Sequence, residues 1–94
     1  MNSQKKEVLL LVGAGQIGMA IARRMGYGKK IVIGDKNPQN AGTIARIMND
    51  AGFDTAAVEM DLSSRSSIRA LIDAAKAYGD IAMLVNAAGV SPSQ

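Results

Sequence analysis

Three glycines at positions 13, 15 and 18, aspartates at 35 and 61 and an asparagine at 86 have the types and spacing to hold a ligand. Gly13-Ala14-Gly15-Gln16-Ile17-Gly18 is a G-x-G-x-x-G run between the apolar segment Val8–Val12 and a helical pattern. In that setting the first glycine turns the chain sharply out of a strand. The second lets the backbone approach a pyrophosphate, and the third lets the next helix pack tightly on a sheet. The helix would open at the end of this loop, its unbonded N–H groups and positive dipole end directed at a phosphate. The plainer alternative is a tight strand-to-helix turn with no ligand; the strand before and the helix after favour nucleotide binding. Asp35 lies 22 residues beyond Gly13 and closes the run Lys30–Asp35. An acid there accepts hydrogen bonds from the adenosine ribose hydroxyls and repels a 2′-phosphate, which favours NAD over NADP. The alternative is a solvated turn aspartate beside Asn37-Pro38. Lys36 would offset part of the repulsion, or is simply an exposed loop lysine.

Asp61 and Asn86 are weaker signals taken singly. Asp61 follows one apolar run and could merely begin a helix; Asn86 follows another and could be a turn residue. Other chemistries are excluded by composition. There is no cysteine and no histidine, so disulfides, thiolate nucleophiles, histidine bases and the usual zinc ligands are absent. The net charge is +3, with the basic residues scattered and only three aromatics, so a nucleic-acid surface is not expected. No segment has the length of a membrane span or the pattern of a targeting signal, so a soluble, cytoplasmic protein is expected.

The elements that must position these residues alternate along the chain. Strands are expected at Val8–Val12, Lys30–Asp35, Thr55–Met60 and Ile81–Val85. The first helix should cover 16–26, with Ile17, Ala20, Ile21 and Met25 inward and Gly26-Tyr27-Gly28 ending it. The second runs from Asn37 as N-cap and Pro38 as first residue to about Asp50, with Ala41, Ile44, Ala45, Met48 and Ala51 buried and Gly52 after it. The third covers 65–78, buries Ile68, Leu71, Ile72 and Ala75, and closes at Gly79. The order β-α-β-α-β-α-β predicts an α/β, Rossmann-like parallel sheet in the order 3-2-1-4, with right-handed crossovers and helices on both faces, half of a doubly wound fold. All 94 residues are read as one domain.

These residues together resemble the nucleotide-binding half of the short-chain dehydrogenase/reductase family. The resemblance rests on V-G-A-G-Q-I-G, I-G-D, M-D-L-S and L-V-N-A-A-G, from about Val8 to Ser91. Asn86-Ala87-Ala88-Gly89 resembles the N-N-A-G signature after strand four, and Asp61-Leu62 resembles the acid that contacts adenine after strand three. The family's usual loop is T-G-x-x-x-G-x-G; here Ile17 and Met19 stand where the later glycines fall. The resemblance implies cofactor contacts at Gly13, Gly15, Gln16, Ile17 and Gly18 in the loop, and at Asp35 and Lys36 after the second strand. It further implies contacts at Asp61 and Leu62, and at Asn86, Ala87, Ala88 and Gly89.

The implied activity is an NAD-dependent oxidoreductase moving a hydride to or from a small carbonyl or alcohol substrate, with NADP the less expected cofactor. The family's catalytic serine and Tyr-x-x-x-Lys lie downstream of N-A-G. Tyr27 and Tyr78 are not followed by lysine at that spacing, and Ser91 and Ser93 come too soon. The expectation is therefore the N-terminal half of such an enzyme, truncated after strand four and inactive alone. A stand-alone nucleotide-sensing module is the alternative. A SAM-dependent methyltransferase is weaker, because N-A-A-G has no role there. The fourth strand should be an unguarded edge beside an uncovered apolar face, which predicts self-association into a homo-oligomer.

Overall fold

Val8–Val12 is apolar at every position and all five residues are buried, as expected of a strand covered on both faces. It is β1 in a computed structural model that describes residues 6–13, 16–59 and 65–86. The other elements are α1 (Gln16–Met25), β2 (Lys30–Asp35), α2 (Pro38–Asp50), β3 (Asp54–Glu59), α3 (Arg65–Lys76) and β4 (Ile81–Asn86). The strands are parallel and lie in the order β3-β2-β1-β4, as the alternation predicted. Successive side chains of a strand point to opposite faces, so β1 and β2 feed two cores. Leu9, Leu11, Ile31 and Ile33 pack with Ala22 of α1 and with Ala41 and Met48 of α2. Val8, Leu10, Val12 and Val32 pack with Leu71 and Ala75 of α3.

The inward face of α1 differs from the sequence expectation. Gly18 and Ala22 are buried and Met19 is half-buried, whereas Ala20 is exposed and Met25 is 47% exposed. Ile21 is half-buried; the side chain of Ile17 lies outside the described set. Periodicity weighted the large apolar residues, but the helix docks through its thinnest face. Gly18, Ala22 and Gly26 recur every fourth residue, and a Cβ added to Gly26 would sit 2.6 Å from Ile31 Cδ1. Small residues here let the helix backbone approach the sheet.

Helix α2 has the predicted start. Asn37 Oδ1 accepts hydrogen bonds from the backbone N–H groups of Gln39 (3.0 Å) and Asn40 (3.2 Å), and Pro38 needs no N–H at the first helical position. At its other end the Phe53 N–H donates to Met48 O and the Gly52 N–H to Asn49 O, with Gly52 at φ 98°. This is a Schellman closure, which needs a left-handed residue just past the helix. Ala51, expected in the buried stripe, is exposed because the chain is already leaving the helix there.

Strand β3 starts one residue earlier than expected, at Asp54, and Met60 is outside the described residues. Asn49 of α2 clamps this strand: its Nδ2 donates to Thr55 O (3.0 Å) and its Oδ1 accepts from Thr55 N–H (2.9 Å). Asp54 accepts from Lys30 Nζ at 2.8 Å and Lys6 Nζ at 3.2 Å, and the Lys30 ammonium lies 4.6 Å from the Tyr78 ring centroid. The hydrogen bond from Lys30, aided by Lys6, holds the Asp54 carboxyl below its ordinary range against a smaller opposing effect of burial. Helix α3 ends at Lys76 rather than 78, and its outermost apolar residue, Ile68, is 37% exposed rather than buried.

Strand β4 runs one residue past the expected Val85. Its register with β1 slips, Val8 facing Ile81 and Leu9 facing Met83, so Ala82 is an extra residue. Met83 and Val85 pack toward α1 and α2. Leu84, aligned with Leu10 on the α3 side, is 61% exposed. Among the described residues β4 pairs only with β1, at one edge of the sheet.

Candidate functional site

The carboxyl ends of β1, β2 and β4 converge on one edge, where open parallel sheets bind ligands. Val12 is in register with Gly34 on one side and Asn86 on the other. Gly13 therefore leaves the sheet between Asp35 and Asn86. With neighbouring strands about 4.8 Å apart, the strands carrying those two residues are about 10 Å from each other.

Gly13 has φ 95°, a conformation that favours glycine, and its N–H donates to Gly34 O at 2.6 Å. That amide is thus committed to the sheet, and donors for an anion must come from farther along the loop or from α1. Helix α1 begins at Gln16 with no acidic residue in its first turn, so no negative side chain of that turn competes for the unbonded N–H groups. Gly18 is buried, in keeping with its expected role in close packing.

Asp35 is half-buried at the end of β2, where its Oδ1 accepts a hydrogen bond from Asn37 N–H at 3.4 Å. The Asn37 side chain caps α2, while Asp35 closes β2 at the same edge. Lys36 is exposed beside it, and Asn86 is exposed at the end of β4. The structure thus brings Gly13, the start of α1 with Gln16, Ile17 and Gly18, Asp35, Lys36 and Asn86 to one edge. Gly15, Asp61, Leu62, Ala87, Ala88 and Gly89 lie outside the described residues.

Sequence reasoning passed over Glu59. It is the last residue of β3, exposed, and in register with Asp35. A signal for it existed: K-I-V-I-G-D and D-T-A-A-V-E are six-residue strands that both end in an acid, and they pair end to end. An open groove on the flank of α3, lined by Ile68, Ile72 and Asp73 among others, contains none of these residues. Among the described residues no group of three or more acids is placed to hold a metal ion, and no helix is long and apolar enough to cross a membrane.

Comparison with known proteins adds three findings. A family model described as short chain dehydrogenase matches residues 6–94. A short-chain dehydrogenase/reductase of Alternaria brassicicola is 33% identical over 87 residues, covering 93% of this chain and 32% of that protein. Two solved structures share the fold. A metagenomic short-chain oxidoreductase in complex with NADP is 32% identical with a TM-score of 0.81, over 95% of this chain and 42% of the other. A short-chain dehydrogenase/reductase from Burkholderia phymatum in complex with NAD is 28% identical with a TM-score of 0.74, over 89% and 31%. The chain spans about a third of the length of most of the curated relatives it matches, and 14% of one of them.

Proposed function

The chain belongs to the short-chain dehydrogenase family, and we propose on that footing that it is the dinucleotide-binding part of an NAD-dependent oxidoreductase. The observation that carries the proposal is the convergence of the Gly13 turn, the start of α1 and Asp35 on adjacent strand ends. When bound, a nicotinamide dinucleotide supplies hydride exchange between its ring and a carbonyl or alcohol carbon. In the proposed arrangement the first-turn N–H groups of α1 donate to the pyrophosphate. Asp35 accepts from the adenosine ribose hydroxyls and disfavours a 2′-phosphate, so NAD is preferred. The family resemblance adds Gly15 at the pyrophosphate, Asp61 and Leu62 at adenine, and Asn86 to Gly89 beside them. The acid–base groups and the substrate site of the whole enzyme are assigned to none of these residues. Relatives solved with NAD and with NADP support a nicotinamide dinucleotide for this chain. Leu84, on the edge strand, gives it a surface for self-association.

Titration calorimetry with NAD+ and NADP+ tests the reading. NAD+ should bind more tightly, and Asp35→Ala should weaken it by about 1–3 kcal/mol, the range for a hydrogen bond to a charged group. Equal wild-type affinity for both removes the NAD assignment, and binding of neither refutes the dinucleotide reading.

A further inference from the structure

We propose that Glu59 is a second specificity-determining residue for the cofactor, working with Asp35 to exclude a 2′-phosphate; the inference rests on the dinucleotide reading above. The pairing of β2 with β3 is unbroken from Lys30–Asp54 to Asp35–Glu59. Ile31 and Ile33 point into the core under α1 and α2, so Asp35, two residues on, leaves the same face. Its register partner Glu59 leaves that face too, one strand spacing away, about 4.8 Å. Glu59 is exposed, and among the described residues its side chain makes no ion pair or hydrogen bond. Among the described residues no cation pairs with it, and Lys36, which follows Asp35 at the end of β2, is exposed.

The two carboxylates differ in role. Asp35 ends the strand beside the glycine turn and is the one placed for the ribose. Glu59 lies one strand farther from that turn, so it acts through charge rather than contact. A phosphate monoester adds about −1.5 to −2 charges. At a separation of about 7 Å in a water-like dielectric of about 80, one carboxylate lowers the affinity for that group about three- to tenfold. A ligand without the 2′-phosphate does not feel this repulsion.

The test compares wild type, Glu59→Gln and Asp35→Asn by titration calorimetry with NAD+ and NADP+, at about 0.01 M and about 1 M salt, where the Debye length falls from about 30 Å to about 3 Å. Glu59→Gln should tighten NADP+ about three- to tenfold at low salt, leave NAD+ within about twofold, and lose the gain at high salt. Asp35→Asn should weaken NAD+ itself. Glu59 is exposed and glutamine keeps its shape, and a thermal melt of the variant verifies the fold. An unchanged NADP+ affinity, an equal change for both ligands, or a gain that survives high salt overturns the role of Glu59 while leaving dinucleotide binding intact. Binding of neither ligand to wild type overturns the dinucleotide reading and this inference together.

Discussion

Replacing Gly26 by alanine and Gly42 by alanine is the same chemical change with opposite expected signs. A Cβ on Gly26 would lie 2.5 Å from the Ala22 carbonyl oxygen and 2.6 Å from Ile31 Cδ1. Ile31 is fully buried, and the Ala22 carbonyl already accepts the Gly26 N–H at 2.7 Å. Relief therefore requires α1 to lift from the sheet or that hydrogen bond to break. Overpacking costs about 1–3 kcal/mol and a lost hydrogen bond about 0.5–1.5, while the stiffer unfolded chain returns about 0.4–1. The net expectation is a loss of about 2–3 kcal/mol, or about 10–20 °C in Tm for a domain of this size. Gly42 sits inside α2, exposed, with nothing within 4 Å of an added Cβ. There alanine should stabilise by about 0.5–1 kcal/mol through helix propensity. Thermal and urea unfolding followed by circular dichroism reads both. A Gly26→Ala protein with a wild-type or higher Tm would refute the close approach of α1 to β2.

Asn37→Ala should cost about 1 kcal/mol in urea unfolding and Asn37→Asp much less, because aspartate also caps; equal losses would show that the cap is not the cause. The Asp54 carboxyl is held below its ordinary value of 3.8 by Lys30 first and Lys6 second. Its contribution is therefore complete above that value and disappears as pH falls through the lower folded value. The Asp54 side chain is 42% exposed, so Asp54→Asn should cost no more than about 0.5 kcal/mol at pH 7 and should flatten the acid limb of stability against pH below about 4. An unchanged acid limb would count against the ion pair. Leu84→Lys should leave stability within about 0.5 kcal/mol and convert a concentration-dependent sedimentation profile to a monomeric one. A wild type that is monomeric at every concentration would remove Leu84 from any interface.

The fold was legible wherever burial was total or a turn demanded one residue type. The unbroken apolar run at Val8–Val12, the Asn37-Pro38 start and the Gly52 stop each have one economical structural meaning. The order 3-2-1-4 followed from the alternation of elements. The inner face of α1 was not legible from periodicity, because hydrophobic weighting favours Ile21 and Met25 while close packing favours Gly18 and Ala22. At the site, Gly13 and Asp35 carried their own signal through spacing. Glu59 was marked only by the matching acidic ends of two strands, and its place beside Asp35 depends on the register of β3 with β2, a property of two strands.

The Asn49 clamp has a consequence for how the sheet can grow. On an outer strand, alternate residues offer both their N–H and their C=O outward, so a free strand from any source can add there. Asn49 fills the Thr55 rung of β3 with its own amide, imitating the backbone of a further strand, and Glu59 guards the far end with a charge. At Leu84 on the opposite edge, neither device is seen among the described residues. The two edges are therefore unequal templates: an added strand would meet the Asn49 amide at Thr55 beyond β3, and beyond β4 the exposed side chain of Leu84.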